Sequence, residues 1–303
     1  MKKAGILSMQ RIYNYGSFLQ AYALKKMLEE CGVEVEFVDY HPGKCILPSK
    51  EATGMKRKVQ KGLEILRMKG RLRDKVQFLK YKKNYAGKNY PVLGLEEIYN
   101  YTPKLDLLVI GSDEVFNCIQ DNSNVGFAPE LFGAGHQADR LVSYAASFGN
   151  TTLESLKKYQ VDEQVAQWLR AFDAISVRDD NSRKIVQELT GKDPVCHLDP
   201  VLVYDYPANL PETKAKIPQD PYMILYGYSG RFNKEEAGEI RKYAKRKGLK
   251  ILCIGGIQSC GDKFIDCSPF EIFEYFKYAE SVVTDTFLSL IHISEPTRPI
   301  SIS

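Results

Sequence analysis

Five times along this chain a short apolar run breaks off at a small residue followed by a hydroxyl, an amide or a charge. The breaks are YNYGS at 13–17, GSDEVFN at 111–117, SYAASFG at 143–149, SVRDDN at 176–181 and VTDTF at 283–287. An apolar run of four to eight residues that does not alternate reads as a strand buried on both faces, and such strands belong to parallel sheets covered by helices. In open parallel sheets ligands bind outside the carboxyl ends of the strands. The same five breaks therefore restrict the fold to α/β and mark where chemistry is to be sought.

The segments between the breaks fit that reading. Residues 4–8 form a buried strand, and Phe18, Ala21, Leu24 and Leu28 then share one helix face up to Gly32. Residues 33–40 alternate, completing a strand, helix, strand unit with parallel pairing. The rhythm resumes with strands at 105–110 and 141–146, a helix over 153–172, a strand at 174–177, a helix from Asn181 to Gly191 and a short strand at 195–198. Five prolines between Pro200 and Pro221 then break the periodicity. A second series follows: strand 223–228, helix 234–247, strand 250–254, helix 269–279 and strand 281–284. The expected organisation is a Rossmann-like domain over 1–200, a linker at 201–220 and a second, incomplete one over 221–287. A chain of 303 residues has room for two such cores.

One stretch departs from the pattern. Between Lys56 and Lys88 there are 13 Lys or Arg against Glu64 and Asp74, a local net of +11 in a chain whose total is only +4. Apolar positions 59, 63 and 66, then 72, 76 and 79, recur at helical spacing, which predicts one or two basic amphipathic helices joined near Gly70. Two readings stand: a solvated excursion packed by that stripe, or peripheral contact with an anionic membrane surface or polyanionic ligand. Aromatics are sparse there, so nucleic acid is not expected as a partner. No apolar run approaches the eighteen residues of a spanning helix. The short apolar start is no signal-peptide core, and seven cysteines without a C-x-x-C pair fit a reducing cytosol better than a disulfide framework or a zinc site. The expected location is cytoplasmic, with the inner face of the membrane as a place of work.

The strand ends supply candidate residues. Gly16 and Ser17 precede a helix, where backbone N–H groups and the helix dipole can hold an anion; a plain turn and N-cap is the alternative. Arg178 at a strand end can grip a carboxylate or phosphate, or it can pair with Asp179, Asp180 or Asp199. Asp113 and Asp285 are candidate general bases, or helix and turn caps. His41, His136 and His197 have no metal-ligand spacing, and neither G-x-G-x-x-G after the first strand nor a Walker sequence occurs.

Taken together and in order, NYGSFLQAYAL (14–24), DLLVIGSDEVFN (106–117), SYAASFG, AISVRDDNS (174–182), LDP (198–200) and AESVVTDTF (279–287) resemble the polysaccharide pyruvyl transferase family. Phe116 stands where that family usually has tryptophan. The resemblance implies two Rossmann-like halves, as in two-domain GT-B-like glycosyltransferases. It also implies transfer of the enolpyruvyl unit of phosphoenolpyruvate to two sugar hydroxyls, giving a pyruvate ketal in polysaccharide biosynthesis. Phosphoenolpyruvate is then the donor substrate, with no further cofactor and no obligatory metal. The acceptor is a glycan or a lipid-linked or nucleotide-linked sugar. Arg178 matches the family's cleft arginine, and Asp285, from its place at a strand end, is the other expected catalytic residue. Asn14, Tyr15, Gly16, Ser17, Gly111, Ser112, Asp113, Asn117, Ser147, Thr284 and Thr286 are the expected substrate-binding residues.

The family usually continues T-D-[ST]-F with His-Gly, that histidine being the expected general acid, whereas Leu288 follows Phe287 here. The run LSLIHISEPTR (288–298) resembles translated sequencing-adaptor DNA. Residues 288–303 are accordingly expected to be non-native read-through, His292 is not the missing histidine, and the chain as written is expected to be inactive. Two alternatives remain: a nucleotide-sugar glycosyltransferase of the same architecture, and a noncatalytic glycan- or membrane-binding module.

Overall fold

The computed structural model describes residues 1–47 and 72–284. The expected helix around 59–66, the junction at Gly70, and residues 285–303 lie outside the described residues. The described chain forms two compact units, one taking in 1–12, 16–47 and 90–206, the other 13–15, 72–89 and 207–284.

The first unit is built on a parallel sheet of β1 (Lys3–Leu7), β2 (Glu34–Phe37), β3 (Lys104–Gly111) and β4 (Gln137–Tyr144), in the order β2-β1-β3-β4. Single bridges from Val142 to Ala174 and from Ala146 to Val177 lead on to a small pair, β5 (Ser176–Val177) and β6 (Val195–Cys196). The inner residues of β1 and β3 are almost wholly buried, as strands covered on both faces must be. Helix α1 (Tyr15–Glu30) is buried nearly all round through its first ten residues.

The helix expected over 153–172 is two helices, α3 (Leu153–Lys158) and α4 (Asp162–Arg170). Gln160 between them takes φ 57°, a left-handed conformation that ends a helix. Helix α5 (Asp180–Thr190) stops at Gly191, and the proline-rich stretch contains two short helices, α6 (Pro200–Val203) and α7 (Tyr206–Asn209). Phe116 is fully buried and stacks on Phe132 at 4.9 Å between centroids, with Phe148 and Phe172 around it. Its role is packing.

The second unit repeats the plan, with β7 (Tyr222–Tyr226), β8 (Lys250–Ile254), β9 (Lys263–Phe264) and β10 (Ser281–Thr284) in the parallel order β10-β7-β8-β9. Helix α8 (Lys234–Lys247) opens on an Asn233–Glu236 capping box and closes on left-handed Gly248, and α9 (Glu271–Lys277) precedes β10.

Helix α2 (Leu72–Leu93) corrects the expected stripe. Val76 and Leu79, expected to pack, are 51% and 65% exposed. Tyr81, Tyr85 and Asn89 are buried instead, and Phe78 sets its ring edge-on to Phe264 at 5.2 Å. Two apolar stripes half a turn apart compete for the interior, and the aromatic one removes far more surface from water.

Candidate functional site

In the first sheet the chain leaves β1 toward β2 and returns on the other side as β3, so the topological switch point lies between β1 and β3. Ser8 follows β1 and Ser112 follows β3. Ser8 Oγ donates to the Ser112 carbonyl at 3.1 Å, Gln20 Nε2 from α1 donates to Ser8 Oγ at 2.9 Å, and Ser112 Oγ donates to Gln20 Oε1. All three residues are buried, so this closed ring fixes where the 111–117 loop departs. Gly111 has φ 124°, and a Cβ there would stand 2.4 Å from the Tyr144 carbonyl oxygen, which no side chain survives.

Asp113 takes φ 73°, a costly conformation for a non-glycine residue. Its carboxylate is anchored: Ser17 Oγ donates to Oδ2 at 2.7 Å, the Glu114 N–H donates to Oδ1 at 2.9 Å, and Arg178 Nη2 lies 3.7 Å away. Ser17 is therefore not the N-cap of α1; it sits inside the first turn with its hydroxyl turned to Asp113. Arg178, its side chain 13% exposed, donates from Nη1 to Asp199 Oδ2 at 2.6 Å. Of its three sequence-level partners only Asp199 pairs with it, joined by Asp113. Asp179 is taken up elsewhere, accepting from Ser147 Oγ at 2.6 Å and capping α5 through the Ser182 N–H.

Burial works against the Arg178 charge, but Asp113 and Asp199 more than offset it and hold the guanidinium above its ordinary value. Burial pushes the Asp199 carboxyl upward, opposed by Arg178 and by the N–H of Val201. Asn117 donates to Glu114 Oε2 and accepts from Thr151 Oγ1, both at 2.8 Å, tying the ends of β3 and β4 together. The result is one firmly held cation beside Asp113 and Asp199, with Glu114 near enough to favour its charge. Such a set can orient a compact anion on the guanidinium and accept hydrogen bonds or protons from hydroxyl groups.

In the second sheet the switch point lies between β7 and β10. Thr284 closes β10 opposite Tyr226, with Tyr228 just past the end of β7. Asn14 and Tyr15 belong to this unit: Asn14 Nδ2 donates to the Tyr228 hydroxyl at 2.6 Å, and the Asn14 carbonyl accepts from Tyr85 at 3.1 Å. The Tyr15 hydroxyl donates to the Cys267 carbonyl at 2.8 Å, and burial drives its phenol well above the usual range. Burial likewise pushes the Cys267 thiol up to about 12, which leaves it protonated. Asp285 and Thr286 lie outside the described residues.

The first unit thus brings together Ser17, Gly111, Ser112, Asp113, Asn117, Ser147 and Arg178, with Gly16 beside Ser17 in the first turn of α1. Asn14, Tyr15 and Thr284 lie in the other unit. Sequence reasoning passed over Ser8, Gln20 and Glu114. Gln20 carried a signal, being a polar residue on the buried side of α1 one turn after Ser17; Glu114 carried none.

A family model described as polysaccharide pyruvyl transferase matches residues 14–287. Among solved structures, the S. aureus MnaA–UDP co-structure matches with a TM-score of 0.52 at 11% identity, over 97% of this chain and 77% of that one. At that identity the likeness establishes the fold alone. No curated protein matches the chain.

Proposed function

The chain belongs to the polysaccharide pyruvyl transferase family, and from that premise we propose that its native form transfers the enolpyruvyl group of phosphoenolpyruvate to two hydroxyls of a sugar, working in the cytoplasm at the inner face of a membrane. One hydroxyl oxygen adds to C2 of the donor as the methylene C3 takes a proton; the second oxygen then replaces phosphate at C2. Of the two hydroxyl protons one balances that taken by C3 and one leaves with the phosphate. The observation that carries the reading is Arg178, held at the carboxyl edge beside Asp113 and Ser17. Its guanidinium would take the donor's carboxylate or phosphate, and Asp113 would accept a hydroxyl proton. Gly16, Gly111, Ser112, Asn117 and Ser147 would shape the pocket wall, while Asp285 and Thr286 stay proposals from the strand-end pattern.

Calorimetric titration of the chain with phosphoenolpyruvate tests this without requiring turnover. Binding that falls about a hundredfold or more on Arg178→Ala supports it, since losing a buried charge-assisted contact costs about 3 kcal/mol or more. Binding of a uridine nucleotide with no response to phosphoenolpyruvate would favour the nucleotide-sugar reading. The proposal that residues 288–303 are read-through, and the chain inactive for that reason, is settled by the genomic codons after Phe287. His-Gly there supports it; the present LSLIHISEPTR overturns it.

A further inference from the structure

Helix α2 has two faces of unlike character. At about 100° per residue, Phe78, Tyr81, Tyr85 and Asn89 fall on one side, and Val76, Leu79, Lys80 and Lys83 fall on the opposite side. The first set packs inside the second unit, with Tyr81 5.7 Å from Phe264 and 6.0 Å from Tyr15 between ring centroids. The second set is exposed, two aliphatic side chains among cations. Lys82 on its flank is exposed as well, its ammonium 5.1 Å from the centre of the Phe78 ring. Among the described residues, Lys80, Lys82 and Lys83 have no acidic partner, in contrast to Lys88, which lies 3.4 Å from Asp266.

We propose that this outer face, Val76 and Leu79 ringed by Lys80, Lys82 and Lys83, is a docking surface for an anionic phospholipid bilayer. The inference deepens the membrane part of the proposed function and rests on it. Apolar side chains bordered by unpaired lysines suit the boundary between acyl chains and headgroups: Val and Leu enter the acyl edge while the long lysine stems reach back to lipid phosphates. A purely solvated face would gain nothing from Val76 and Leu79. A polyanion in solution would use the lysines and leave the two aliphatic residues in water.

Co-sedimentation of the full chain with vesicles of phosphatidylcholine containing phosphatidylglycerol tests the proposal, against vesicles of phosphatidylcholine alone. The expected result is binding to the anionic vesicles only, weakened by added salt. A combined Lys80→Gln, Lys82→Gln and Lys83→Gln variant should bind roughly a hundredfold more weakly, at about 1 kcal/mol per lysine near an anionic surface. Val76→Ser with Leu79→Ser should weaken binding about tenfold or more with thermal melting unchanged. Failure of the parent chain to sediment, equal binding to neutral vesicles, binding to heparin but not to vesicles, or a dimer that dissociates on Val76→Ser and Leu79→Ser would each overturn the proposal. Phosphoenolpyruvate titration without vesicles reads the catalytic proposal separately. Vesicle binding lost while donor binding persists condemns the docking surface alone, and the reverse pattern condemns the catalytic reading alone.

Discussion

At the switch point of the first sheet Asp113 and Asp199 flank Arg178, while at that of the second Asn14 and Tyr228 meet among tyrosine rings and a protonated thiol. Both edges come from the same winding, in which the chain leaves a central strand in one direction and returns on the other side. Topology therefore fixes where a crevice opens, and side chains fix what it can do. The first edge is rigid and charged, with backbone in a left-handed conformation at Asp113 held by three contacts. The second is aromatic, with hydroxyls satisfied by carbonyls.

The largest expected difference separates two glycines, Gly111 at the first edge and Gly255 at the second. A Cβ on Gly111 would stand 2.4 Å from the backbone oxygen of Tyr144, at φ 124°. On Gly255, after β8, the nearest atom to a new Cβ is the Gly227 carbonyl oxygen at 3.4 Å, so only the backbone angle of 82° resists. Gly111→Ala is expected to destabilise by about 3 kcal/mol or more and Gly255→Ala by about 1 kcal/mol, read as urea midpoints at constant slope. Equal effects would mean that the backbone around Gly111 is no tighter than that around Gly255.

Tyr15→Phe sharpens the comparison from the aromatic side. The change removes a buried hydrogen bond to the Cys267 carbonyl and should cost about 1 kcal/mol at neutral pH. It should also make stability less sensitive to alkali. Burial raises the Tyr15 phenol above its usual value of 10.0, so above that pH the unfolded chain ionises first and stability falls. Phenylalanine has no proton to lose, and the slope of stability against pH beyond 10 should shrink accordingly. An unaltered alkaline slope would show that Tyr15 is not buried in solution.

The strands and their parallel pairing were legible because a buried strand leaves an uninterrupted apolar run, and Gly191 and Gly248 stop α5 and α8 where the sequence says they should. Helix α2 was misread because its sequence offers two apolar stripes; position alone made Val76 and Leu79 as plausible as Tyr81 and Tyr85, and only tertiary packing against Phe264 decides. The strand ends that carry the candidate residues were legible. Which unit each residue belongs to was not, because the boundary cuts between Tyr15 and Gly16, inside one unbroken motif. Nor could local sequence choose among the aspartates near Arg178, since Asp179 follows it directly and is drawn off by Ser147 and Ser182, whereas Asp199 arrives from 21 residues away.

The smallest expected effect tests how that last pair is balanced. Burial lifts the Asp199 carboxyl above its usual 3.8 despite the neighbouring guanidinium. A carboxyl raised in the folded state favours folding below about 3.8 and loses that contribution as pH rises through its folded value. Asp199→Asn keeps the acceptor for the Val201 N–H and leaves Asp113 to balance the Arg178 charge, so stability at neutral pH should change by less than about 1 kcal/mol. The fall in stability across the mildly acidic range should flatten at the same time. With one carboxylate gone, Arg178 is less fully neutralised, and phosphoenolpyruvate should bind more tightly than to the parent. If the variant instead lost several kcal/mol and bound the donor more weakly, the Arg178–Asp199 pair would be a structural clamp, and the distinction drawn between a reactive first edge and a packed second one would fail where it is strongest.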